Sequence, residues 1–136
     1  MAEYRSSDDF QRMFQGTLSD RLGMRIVEVT PDRVVMIHPG VTTTADLHAV
    51  TAVLAESAGS AVAVLAAQPG DAVGIELSIT HHPRPAAGEI IATATLLSAA
   101  AGLLTCAISI TDSAGSALAE ARLQCMARTV RRVNPA

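Results

Sequence analysis

Glu56 is the one carboxylate inside the run 47–67, LHAVTAVLAESAGSAVAVLAA, which is otherwise built from Ala, Val, Leu, Ser, Thr, Gly and one His. At helical spacing it shares a face with Ala52, Val53 and Ser60. A carboxylate taken out of water without a partner is costly, and burial raises its pKa. A lone acid in such a run therefore has two readings. It is a general base or nucleophile in a dry pocket, or it lies on an exposed strip or beside an arginine. The run offers no other polar strip for it to share, which favours the first.

Other chemistry-bearing residues are sparse. His81 and His82 close an alternating segment just before Pro83, where histidines exposed at a strand end are the plain reading. Cys106 and Cys125 form no CxxC pair, so they read as reduced core thiols, and no metal site is expected. Net charge is −3 and aromatic residues are few (Tyr4, Phe10 and Phe14), so neither a basic surface nor base-stacking platforms point to nucleic acid. The segment 49–67 is long enough to span a membrane, but Glu56 at its centre, its hydroxyls and its Ala content argue against that. MAEYRSSDDFQRMF has no apolar signal core. A cytoplasmic protein is expected.

The elements that must position these residues follow from periodicity. At 136 residues the chain suggests a single domain over 1–136. SSDDFQRMFQGT carries a cap near Ser7, acids in the first turn, and Phe10 and Phe14 on one face, which predicts a helix over about 7–17. GMRIVEVT and RVVMIHP, separated by PDR, predict a β-hairpin. A long helix is expected from about 48 to 67, with Asp46 as N-cap and QPGD as its stop. Alternating strands then follow. In AVGIELSITHH, Val73, Ile75, Leu77 and Ile79 fall on one face and Glu76, Ser78 and Thr80 on the other. In the last strand Ala119, Ala121, Leu123 and Cys125 oppose Glu120, Arg122, Gln124 and Arg128. The order predicts an α+β fold, an antiparallel sheet of five or six strands curled around a buried central helix.

LHAVTAVLAESAGS resembles the helix signature of the hotdog-fold acyl-CoA thioesterases, nearest the 4-hydroxybenzoyl-CoA, phenylacetate-pathway and dihydroxynaphthoyl-CoA branch. The resemblance extends over roughly 16–130 through GTLSDRLGMRIVEVTPDRV, VGIELSITHH and ITDSAGSALAEARL. It implies a hotdog fold and hydrolysis of an acyl-CoA or acyl carrier protein thioester. It places Glu56 at the catalytic carboxylate, as nucleophile or base, and Ser60 at a hydroxyl that places water or the carboxylate. His48 falls at the motif histidine, and the amide of Ala49 at an oxyanion donor on the helix N-terminus. It implies substrate contacts near Thr42, at His81 and His82, and at Arg84, with Arg128, Arg131 and Arg132 as further candidates for coenzyme A phosphates. No cofactor is implied beyond coenzyme A as part of the substrate, and a homodimer or dimer of dimers is expected. The family's His-Gly-Gly is His48-Ala49-Val50 here, and the loop before it is shorter. The alternative is therefore a non-catalytic hotdog protein that binds an acyl thioester or a related small molecule.

Overall fold

The computed structural model describes residues 6–129. The elements run α1 (Ser7–Met13), α2 (Leu18–Arg21), β1 (Arg25–Thr30), β2 (Arg33–His38), α3 (Thr44–Ala67), β3 (Asp71–His81), β4 (Ile90–Ala100), β5 (Leu103–Asp112) and β6 (Ala117–Arg128). Six strands form one antiparallel sheet in the order β1-β2-β4-β5-β6-β3, so β1 and β3 are its edges. The α+β architecture and the predicted hairpin are both present. The fold is a hotdog: the sheet curls around α3, which packs against β2, β3, β4, β5 and β6.

Three local expectations change. The N-terminal helix does not run over 7–17 but ends at Met13, because Gly16 turns the chain at φ +76° and Thr17 caps a second helix. Its cap is Ser6, whose hydroxyl and Asp9 form a reciprocal box. Phe10 and Phe14 are both buried, as their spacing predicts. The central helix opens one turn early, at Thr44 rather than near His48. Thr43 Oγ1 accepts the Asp46 N–H at 3.1 Å, so Thr43 is the N-cap and Asp46 sits in the first turn. In β3, a bulge between Gly74 and Glu76 leaves Ile75 as an extra residue, 53% exposed, and moves Val73 to the outer face opposite Met126. Leu77 and Ile79 keep the inward face, and the faces of β6 alternate as read from sequence.

The helix approaches the sheet closely because its packing face is small. Ala55, Ala58, Gly59, Ala61 and Val62 are fully buried against strands carrying Ile108, Leu123 and Cys125. Thr44–Ala67 is the one described helix long and apolar enough to cross a membrane, and it is this core helix. A strip through His48, Ala49, Ala52, Val53, Glu56 and Ser60 escapes full burial. It lies toward β3, where the sheet ends.

A Cβ at Gly59 would lie 2.8 Å from Leu123 Cδ2 and 3.2 Å from Ile108 Cδ1. Gly59→Leu should overpack this contact and destabilise the fold by about 1–3 kcal/mol or more. Urea midpoints for the two proteins measure it; equal midpoints would contradict the packing.

Candidate functional site

Glu56 projects from the uncovered strip of α3 beside β3. Ser60, one turn on, donates its hydroxyl to Glu56 Oε1 at 2.9 Å. A Cβ built on Gly74 of β3 would stand 3.4 Å from the same oxygen, so the carboxylate lies over a stretch of strand that has no side chain. Gly74 pairs with Cys125, whose thiol is held below the usual range by the hydrogen bond from Cys106, against burial and the nearby Glu56 charge, which raise it. The same pairing, with burial, raises Cys106. Both thiols are free and fully buried. Glu56 itself is exposed in the single chain. The expected dry pocket is absent from one chain because the sheet stops at β3 and no further strand covers the strip.

The extra turn at the start of α3 alters the other predicted group. His48 and Ala49 lie in the second helical turn, where an N–H is directed at the carbonyl four residues back. The amide of Ala49 is therefore not a terminal donor. The terminal amides without a helical partner belong to Thr44 and Ala45, since Thr43 Oγ1 takes that of Asp46. His48 instead meets His81, the last residue of β3. Their rings stack with centroids 4.0 Å apart and planes inclined by 20°. Burial lowers the His81 pKa below its usual value, and the neighbouring His48 lowers it further.

Near the same end of α3 a groove of about 530 Å³ opens between α2, the loop after β2 and the first turns of α3. Its apolar walls are Leu18, Leu22, Val41, Val50 and Val53. Thr42 and Ala49, both singled out in the sequence, also line it. Two of its polar residues carry roles that the sequence reading did not assign. Asp46 matches a helix cap in the sequence, and His38 belongs to no motif; both line the groove. His38 is buried, accepts the Gly40 N–H on Nδ1 at 3.0 Å, and has its pKa lowered by that burial. Helix α2 is held by a buried contact of 2.5 Å between Ser19 Oγ and Ser57 Oγ. Because Ser57 gives its proton to Val53 O at 2.7 Å, Ser19 is the donor.

The remaining candidates lie elsewhere. His82 is half-buried beyond the stacked pair and gives its N–H to Leu118 O at 2.8 Å. Arg84 is exposed in the following turn, where its charge acts on Asp112. Arg128 pairs with Asp71 at 2.7 Å at the far end of β3. Arg131 and Arg132 lie outside the described residues. Among the described residues no group of three or more His, Cys, Asp or Glu could hold a metal ion.

No family model and no curated protein matches the sequence. Solved structures are similar. A thioesterase of Haemophilus influenzae superposes with a TM-score of 0.86 at 18% identity, over 97% of this chain and 96% of that one. Thioesterase superfamily member 2 of zebrafish gives 0.74 at 19% identity, over 89% and 94% of the two chains. The PaaI protein of the Escherichia coli phenylacetic acid degradation operon gives 0.71 at 20% identity, over 88% and 92%. At these identities the likeness establishes the fold.

The His48–His81 stack makes a pH-dependent prediction. A histidine whose folded pKa is lowered stabilises the fold above its unfolded value of 6.5, and that contribution is lost as pH falls from there toward the folded pKa. The His81 ring should titrate below 6.5, and His48→Gln should move it upward by removing the like charge. NMR titration of the ring measures both; an unmoved His81 midpoint would show that the rings do not interact.

Proposed function

We propose that the protein hydrolyses an acyl thioester, of coenzyme A or of an acyl carrier protein, to the free acid and thiol, with Glu56 as the reacting carboxylate. The observation that carries this reading is the Ser60–Glu56 hydrogen bond on the uncovered strip of a largely apolar central helix. The reported neighbours of the fold that carry a thioesterase name lend it weight. Glu56 acts on the thioester carbonyl as nucleophile, or takes a proton from the water that attacks it. Ser60 holds the carboxylate rotamer through its 2.9 Å bond. Water supplies the oxygen gained by the acid, and its proton passes to the leaving thiolate. The reaction so written needs no metal or cofactor; coenzyme A enters as part of the substrate. Two free, buried cysteines suit a reducing cytoplasm.

The active unit in this reading is a homodimer or a dimer of dimers. Strand β3 presents an unpaired edge beside Glu56, and pairing of two such edges about a two-fold axis would cover both strips. It would also bring the His48 end of one helix toward Glu56 of the other. Within one chain those residues are eight positions apart, about 12 Å along the helix axis.

A second reading has its own support. Ala49's amide lies within the helix, so the expected oxyanion donor is not presented there. A hotdog protein that binds an acyl thioester without turning it over would fit that geometry.

Thiol release from a panel of acyl-CoAs separates the two. Glu56→Gln should lower turnover by roughly 10²–10⁴-fold while substrate still binds, and Ser60→Ala should cost less. A Gln variant as fast as wild type would overturn the role of Glu56, and binding without thiol release by either protein would establish the second reading. Light scattering should give at least twice the 14.1 kDa chain mass; a stable monomer at micromolar concentration would overturn the assembly.

A further inference from the structure

We infer that the groove between α2, the loop after β2 and the start of α3 is the acyl subsite, and that it selects a neutral, mainly aliphatic acyl group and rejects one that ends in a carboxylate. The inference rests on the acyl-thioester reading above, and adds to it the class of acyl group.

Volume and position come first. The groove encloses about 530 Å³, within the usual range for small-molecule sites. Val53 and Ala49 line it, and both belong to the strip that carries Glu56. Glu56 follows Val53 by one turn, about 5 Å along the axis. A thioester held at Glu56 thus has an apolar channel beginning one turn away.

The walls are fixed. The Ser19–Ser57 bond ties α2 to α3. Gly40, at φ +124°, approaches the backbone so closely that a Cβ would lie 2.7 Å from Gly88 O. Its N–H in turn orients His38. The groove is therefore a built feature of the fold.

Charge then decides the occupant. Among the described residues that line the groove none is Lys or Arg, and Asp46 is the one carboxylate. Burial disfavours a cationic His38, and because its Nδ1 accepts the Gly40 bond, the neutral ring carries its proton on Nε2. A carboxylate at the end of an acyl chain would meet the like charge of Asp46, which already occupies the positive end of α3, with no lysine or arginine to offset it. A hydroxyl in the same place would find acceptors in Asp46 and Thr42. The aliphatic walls favour an alkyl body over any charged one.

The test uses non-hydrolysable thioethers, so that it does not depend on turnover. Hexyl-CoA, 6-hydroxyhexyl-CoA and 5-carboxypentyl-CoA have equal chain length and differ at the tip. Calorimetry on the wild-type protein should show the hydroxyl analogue binding at least as tightly as the alkyl one, and the carboxylate analogue roughly tenfold or more weaker. Asp46→Asn should narrow the alkyl-to-carboxylate ratio, and Val53→Phe, which fills the groove, should weaken hexyl-CoA far more than methyl-CoA. A carboxylate analogue that binds wild type as well as hexyl-CoA, or an Asp46→Asn ratio equal to wild type, would overturn the inference. Should the thioethers bind in the expected order while no acyl-CoA releases thiol, the hydrolytic reading fails and the subsite stands. Thiol release from hexanoyl-CoA with no discrimination against adipoyl-CoA would have the opposite meaning.

Discussion

The close approach of a small-residue helix to a curled sheet governs the rest of this structure. Gly59 meets Ile108 and Leu123 with no room for another carbon, and Ala55 and Ala58 beside it are fully buried. Close-packed interiors tolerate little change of volume, so this contact sets both the depth of α3 and its rotation about its own axis. Rotation is the consequential part. Once the Ala/Gly face is fixed against the sheet, the strip through His48, Val53, Glu56 and Ser60 must turn toward the β3 edge. Glu56 is presented there as a result of packing on the other side of its helix.

The edge strand is shaped to receive it. Gly74 leaves space above the backbone, and the bulge that follows throws Ile75 outward. A regular strand would carry Val73 inward and place a branched side chain close to where the carboxylate now lies. The bulge, the glycine and the lone acid act as one arrangement, although two of them sit on β3 and one on α3. The same edge leaves backbone groups unpaired and Ile75 half-exposed, which is the cost that a second copy of the chain would relieve.

Periodicity carried the sequence reading where one period held over a whole element. The alternation over 119–125 in β6 and the apolar run of α3 were legible because one period held along most of each element. Val73 and Ile75 were misplaced because a bulge adds one residue and inverts the faces on one side of it, and nothing in VGIEL announces it. The early start of α3 was legible in principle: Thr43 and Asp46 stand at cap and third positions, but Asp46 competes as a cap of its own. The Glu56–Ser60 pair followed from helical spacing, whereas the His48–His81 stack joins residues 33 apart on different elements, and single-element patterns do not encode such contacts. His38 and Asp46 were invisible as site residues for the same reason, since the groove exists once α2, the loop and α3 have packed.

The turn added at the start of α3 has a chemical consequence. In the proposed reaction negative charge develops on the thioester oxygen, and a dry site must meet it with donors already in place. A helix that began at His48 would offer the Ala49 amide; one capped by Thr43 spends that amide on its own ladder and moves the free ones to Thr44 and Ala45, beside Asp46. A carboxylate in the first turn is favourable to the helix dipole but competes with any anion for the same terminus. The hydroxyl cap that stabilises α3 thus relocates its electrostatic end from the Glu56 strip to the groove mouth. On the proposed reading, the oxyanion donor for Glu56 would come from outside that helix terminus, and the uncovered strip beside the unpaired β3 edge is where a partner chain would supply one.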